Sequence, residues 1–161
     1  MRVEQLSEKF GEYLNLDYQE IINLSLLAKL HDIGKVSISE EILKKPGKLN
    51  KNEWSIMQQH CKRGYEIANS ITEFSPIAKY ILYHHERWDG RGYPEGLMGE
   101  EIPLLSRIIT IVDSFDVMTH ARPYTEAISV EQAFKELKEC SGSQFDADLV
   151  YEFCKMFIND K

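Results

Sequence analysis

Long apolar runs are missing from this 161-residue chain. None approaches the roughly 18–20 residues that a membrane-crossing helix needs, and Met1-Arg2-Val3-Glu4 does not open a secretory leader, so a cytoplasmic setting is expected. Cysteine is scarce as well: Cys61, Cys140 and Cys154 are odd in number and form no CxxC pair. That argues against a disulfide framework and against a thiolate zinc site, and leaves reduced thiols as the expectation. Positive charge is in short supply, with 19 Lys+Arg against 26 Asp+Glu and a formal net charge of −7. Duplex nucleic acid, whose binders carry a basic face, is therefore not an expected partner. There is also no alternating apolar pattern of any length, no internal repeat and no low-complexity tract.

What is present is a series of helical periodicities, which predicts a single all-α domain of about six to eight helices. A chain of this length buries roughly 68–70% of its unfolded surface, so its core needs no disulfide or metal to hold together, and a metal found here would serve chemistry. The first helical segment carries Val3, Leu6, Phe10, Tyr13 and Leu14. The second runs from about Tyr18 to His31, opened by Asp17 with Glu20 in capping-box spacing, and Gly34 lies just past its end. Asn50 with Glu53 marks a further start, and Gly64 is expected to bend or divide the helix that follows. Ser75-Pro76 opens the helix that delivers His84 and His85 at its end. A Gly-rich loop from about Trp88 to Ile102 follows, then a strongly apolar helix after Pro103 that contains Asp113 and Asp116. Two closing helices, about Val130–Glu139 and Ala147–Asn159, read as structural.

Chemistry concentrates on histidine and carboxylate. His31-Asp32 stands at a helix end, where neighbouring side chains can converge on one centre, as they cannot within a helix that turns about 100° per residue. Imidazole beside carboxylate suits Mn, Fe, Zn or Mg, and the carboxylate can bridge two ions. Such a pair alone is more often a cap or a hydrogen-bonded core pair, and His60 alone is more often an ordinary helix histidine. Tandem His84-His85 at the end of an apolar helix and Asp113 within the most hydrophobic helix make the set informative where its members are not. Two divalent ions would outweigh the charge of the two carboxylates and leave a positive centre.

Several strings carry a resemblance. His31-Asp32-Ile33-Gly34-Lys35, Lys45-Pro46-Gly47-Lys48-Leu49, His60, and His84-His85-Glu86-Arg87-Trp88-Asp89-Gly90-Arg91-Gly92-Tyr93-Pro94 resemble the HD-GYP domain family. Asp113-Ser114-Phe115-Asp116, Arg122-Pro123-Tyr124 and Phe145-Asp146 extend the likeness over nearly all of residues 1–161. The resemblance implies an HD-type helical domain acting as a bacterial phosphodiesterase of the second messenger cyclic di-GMP. It implies two divalent ions, with a third in some members and Fe or Mn as the metal, and attack of a metal-bridging hydroxide. Matched position by position, His31, Asp32, His60, His84, His85 and Asp113 are the implied metal ligands, with Asp32 bridging. Lys35 is the implied catalytic cation, Asp116 a further catalytic position, and Gly92, Tyr93 and Arg122 the substrate contacts beside Lys35. The family also carries a ligating His about three residues before the pair matched by Arg2-Val3, which places the start of this chain within the first helix of the domain and a sensory or receiver domain upstream. The alternative expectation is a weak or inactive module that binds cyclic di-GMP, or a diguanylate cyclase domain through the Gly92-Tyr93-Pro94 loop.

Overall fold

The computed structural model describes residues 2–121 and 127–159. Its helices are α1 (Arg2–Tyr13), α2 (Tyr18–Leu30), the single turn α3 (Glu40–Leu43), α4 (Lys51–Gln58), α5 (His60–Asn69), α6 (Ala78–Tyr83), α7 (Leu104–Thr119), α8 (Val130–Glu139) and α9 (Ala147–Asn159). Among the described residues the only β pairing consists of isolated bridges, Asp89 with Met98 and Ser141 with Phe145. The all-α expectation therefore holds. No described helix is long and apolar enough to cross a membrane.

Local signals set most boundaries. Asp17 with Glu20 and Asn50 with Glu53 form the reciprocal capping boxes that their spacing promised, opening α2 and α4, and Ser129 with Gln132 forms a third at the start of α8. Between α1 and α2, Asn15 adopts a left-handed φ of 56° and the Leu16 amide donates to the Gly11 carbonyl at 3.0 Å, which ends α1 and reverses the chain. Asp146 accepts the amides of Asp148 and Leu149 at the start of α9.

The core is built around α7, whose Leu105, Ile108, Ile109, Ile111 and Val112 are buried. Phe10 of α1 meets Phe153 of α9 edge to face with centroids 5.0 Å apart, and Phe115 of α7 packs against Phe153 and Phe134.

One boundary differs from the expectation. The break in the segment opened by Asn50 falls at Gln59, between α4 and α5, while Gly64 lies inside α5. Gly64 serves a close approach instead of a bend. A Cβ there would lie 2.7 Å from Ile81 Cγ2 and 3.3 Å from the Gly34 amide nitrogen, so the missing side chain lets the turn after Asp32 press against α5.

Candidate metal centre

His31 caps the C-terminus of α2, donating its amide to the Leu27 carbonyl at 2.7 Å, and Asp32 follows before the 3₁₀ turn Ile33–Ser37. His60 opens α5, His84 caps α6 with His85 next to it, and Asp113 lies within α7. Three helix ends and one helix interior thus point chemistry at a common place. Thr110 Oγ1 lies 2.7 Å from the His84 carbonyl and ties the end of α6 to α7.

Asp32 is the centre of this arrangement. Its Oδ1 lies 3.6 Å from His60 Nε2 and 3.9 Å from His84 Nε2, and its Oδ2 lies 3.7 Å from His31 Nε2. His31 Nε2 is in turn 3.8 Å from Asp113 Oδ1. Ligand atoms of Asp32, His60, His84 and His85 all fall within 4.8 Å of one another. The carboxylate therefore divides its oxygens between two groups, one made by His60, His84 and His85 and the other by His31 and Asp113.

Hydrogen bonding fixes which ring nitrogens face inward. The Nδ1 atoms of His31, His60 and His84 lie 3.1, 2.7 and 2.6 Å from the carbonyls of Ala28, Met57 and Ile81, each three residues back. A carbonyl only accepts, so each Nδ1 carries the proton and each Nε2 presents a lone pair to Asp32. His60 Nε2 and His84 Nε2 then meet lone pair to lone pair at 3.4 Å, beside a buried Asp32 Oδ1 that has no hydrogen-bond partner. Three electron pairs converging without a proton among them fit a cation.

Burial keeps these groups in ligating form. It pushes the His60 imidazolium below its ordinary pKa, pushes His84 well below, and together with neighbouring His60 lowers His85 to about 3. Burial raises Asp32, yet its neighbours His31 and Lys35, the latter also through a hydrogen bond, outweigh it and hold the carboxyl below the usual range. The Cys61 thiol, with Sγ 3.6 Å from His60 Nε2, is pushed up to about 12 by burial and by Asp32, so it remains a neutral thiol. All three cysteines are free.

Lys35 Nζ lies 2.6 Å from Asp32 Oδ2, which sets the cation against the shared carboxylate. Tyr93 covers the other side: its ring lies 5.0 Å from that of His85 at 33°, with Trp54 edge-on at 6.0 Å. The Tyr93 amide donates to the His85 carbonyl at 3.2 Å. Gly92 stands so close to the preceding strand of chain that a Cβ would lie 2.4 Å from the Arg87 nitrogen and 2.5 Å from Glu86 Cα. Gly92→Ala is accordingly expected to push Tyr93 off His85 and, in the metal-dependent hydrolase that the sequence resemblance implies, to raise KM about tenfold or more with metal content unchanged. Steady-state kinetics alongside elemental analysis checks this, since misplacement by an ångström commonly costs up to a hundredfold.

Asp116 is placed elsewhere. Its two oxygens accept from Arg2 Nε and Nη2 at 3.0 and 3.3 Å, and Oδ1 lies 3.2 Å from His120 Nδ1, so it joins α1 to α7 and lies apart from the imidazole cluster. Arg122, with Pro123, Tyr124 and Thr125, lies outside the described residues. Arg87 and Arg107 are engaged by Asp89 and Asp146 at 2.8 and 2.7 Å.

Sequence reading passed over Glu86, which is 2% exposed. Its Oε1 accepts the amides of Glu95 and Gly96 at 2.7 and 3.0 Å and so anchors the loop that carries Tyr93. An acidic residue directly after two histidines invites a ligand reading, and only its distant loop partners reveal the other task. Trp54 and Gln144 were also passed over. Gln144 lines a cavity of about 140 Å³ together with His31, His84, His85, Asp113 and Ser114.

Comparison with known proteins gives this geometry a family context. The HD domain family model matches residues 1–149. A cyclic di-GMP phosphodiesterase of Thermotoga maritima is 40% identical over 96% of this chain and 43% of its own length. The cyclic di-GMP phosphodiesterase response regulator RpfG of Xanthomonas campestris pv. campestris is 41% identical over 90% of this chain and 39% of its own length. The 3′3′-cGAMP-specific phosphodiesterase 2 of Vibrio cholerae is 41% identical over 92% and 29%. Among solved structures, a cyclic GMP-AMP specific phosphodiesterase of V. cholerae superposes with a TM-score of 0.77 at 26% identity, over 98% of this chain and 43% of that one. The chain spans less than half the length of these relatives.

Proposed function

This chain belongs to the HD domain family, of the HD-GYP type, and from that premise we propose that it is the phosphodiesterase unit of a larger protein, hydrolysing cyclic di-GMP at a two-metal centre. The observation that carries this reading is the buried Asp32 Oδ1 without a hydrogen bond, faced by the Nε2 lone pairs of His60 and His84. The ligands we assign are His31, Asp32 and Asp113 for one ion and Asp32, His60, His84 and His85 for the other. Their borderline nitrogen and hard oxygen donors suit Mn, Fe, Zn or Mg, and the sequence resemblance favours Fe or Mn among these. When bound, divalent ions supply Lewis-acid charge to a phosphodiester and a nucleophile at neutral pH.

The chain's own groups supply the rest. Asp32, held ionised by its neighbours, presents one oxygen to each side of the centre. Among the described residues Lys35 is the one cation placed against it, and its half-exposed ammonium supports a part in neutralising phosphate charge or protonating the leaving ribose oxygen. Tyr93, desolvated beside His85, keeps its hydroxyl proton, because burial and neighbouring Cys61 raise its pKa; it offers a donor and a ring face to a nucleotide. Gly92 and Glu86 set that ring in place. Asp116 is assigned a positioning part, holding Arg2 against α7 one turn from Asp113. Arg122 remains a proposed substrate contact on the strength of the sequence resemblance.

The reading predicts that the purified protein loaded with Mn or Fe hydrolyses cyclic di-GMP, stops when the ion is chelated, and resumes when the ion is restored. Full metal occupancy without turnover of any cyclic dinucleotide would overturn it.

A further inference from the structure

A cyclic dinucleotide does not fit within the cavity in front of the cluster. That cavity, about 140 Å³, is well below the roughly 300–1,000 Å³ of pockets that enclose drug-sized ligands. It continues, however, into a more open groove of about 310 Å³ between α7 and α8, with which it shares Asp113, Ser114 and Gln144. Val117, Met118 and Phe145 give the groove apolar walls, and Glu136 of α8 adds a carboxylate.

We propose that this groove is a guanine subsite, which seats one base of the cyclic dinucleotide whose phosphate lies at the Asp32 cluster, with Glu136 selecting guanine over adenine. The inference rests on the phosphodiesterase reading above. A flat heterocycle suits apolar walls that also offer an aromatic ring. Guanine presents N1–H and the 2-amino group side by side, two donors for a carboxylate that only accepts. Adenine places the N1 lone pair beside a single amino group, so the same carboxylate meets it with repulsion. Along α8 the neighbouring Lys135 and Glu139 pair with each other at 3.7 Å, and Glu136 makes no side-chain ion pair or hydrogen bond among the described residues. Gln144 is oriented by Arg87, whose Nη1 donates to its Oε1 at 3.1 Å; this leaves the amide NH₂ to donate to a base or ribose acceptor.

Glu136→Gln on the metal-loaded protein tests the assignment, because the residue is exposed and its loss leaves the core untouched. The ratio of kcat/KM for cyclic di-GMP to that for cyclic di-AMP should fall about tenfold, mainly through KM, with metal content and Tm unchanged. An unchanged ratio, or an equal loss on both substrates, overturns the proposal. A second measurement does not depend on turnover: in a protein labelled at its methionine methyls, titration with 5′-GMP should shift the Met118 resonance more than 5′-AMP does, while buried Met156 stays in place. A Met118 signal indifferent to both nucleotides overturns the subsite. Movement of Met118 in a protein that hydrolyses no cyclic dinucleotide removes the catalytic reading and keeps the subsite.

Discussion

Replacing Asp32 with asparagine is expected to lower cyclic dinucleotide hydrolysis by about a thousandfold or more, the equivalent of the several kcal/mol that metal charge contributes to such a transition state. The size of the effect follows from position. Among the described residues Asp32 alone faces both groups of ligands, with Oδ1 toward His60 and His84 and Oδ2 toward His31. An amide keeps one weak acceptor and turns an NH₂ donor toward lone pairs or a cation, so neither half of the centre remains intact. Metal content should fall with activity, while Tm in the metal-free state changes little, because the hydrogen bond of the Asp32 carboxylate goes to Lys35 on the same turn and not to the core. Lys35→Met separates the roles: metal stays bound and turnover falls by about a hundredfold, the usual scale of a lost acid or charge stabiliser. Elemental analysis and steady-state kinetics on both variants decide the matter.

Gly34→Ala is expected to be the most destabilising single-atom change near the site. A Cβ at Gly34 would lie 1.9 Å from the His60 carbonyl oxygen and 2.5 Å from the Gly64 nitrogen, both backbone atoms of α5 that cannot swing aside. Relief requires the turn after Asp32 to move away from α5, which costs about 3 kcal/mol or more by the measure of other overpacked sites. For a domain of this size that corresponds to a fall in Tm of about 6–12 °C in a thermal melt. The same shift separates Asp32 from His60, so metal affinity falls together with stability. A variant that melts within about 2 °C of the parent would show that the Gly34–Gly64 crossing is looser than its geometry indicates.

The site was legible where its chemistry is written in adjacent residues. His31-Asp32 and His84-His85 sit at helix ends that capping and apolar periodicity already marked, and the folded chain brings them together with His60, Asp113 and Lys35. The boundaries of α2, α4 and α8 were equally readable, since a capping box lies within four residues. What escaped depends on partners far along the chain. Asp116 is claimed by Arg2, 114 positions away, which no local pattern announces. Glu86 was passed over because its two amide donors sit nine and ten residues later. Gly64 invited a hinge because glycine weakens helices, yet it serves the approach of Gly34 from another turn. The division of Asp32 between its two oxygens is likewise a property of three helix ends meeting.

Anomalous diffraction from crystals of the Mn-loaded protein tests the central claim most directly. Two peaks are predicted, one between Asp32 Oδ1 and the Nε2 atoms of His60 and His84, the other between Asp32 Oδ2, His31 and Asp113, with the Asp32 carboxylate spanning them. A fully loaded crystal with no peak at Asp32, or with peaks that leave its carboxylate bound only to Lys35, would contradict the account.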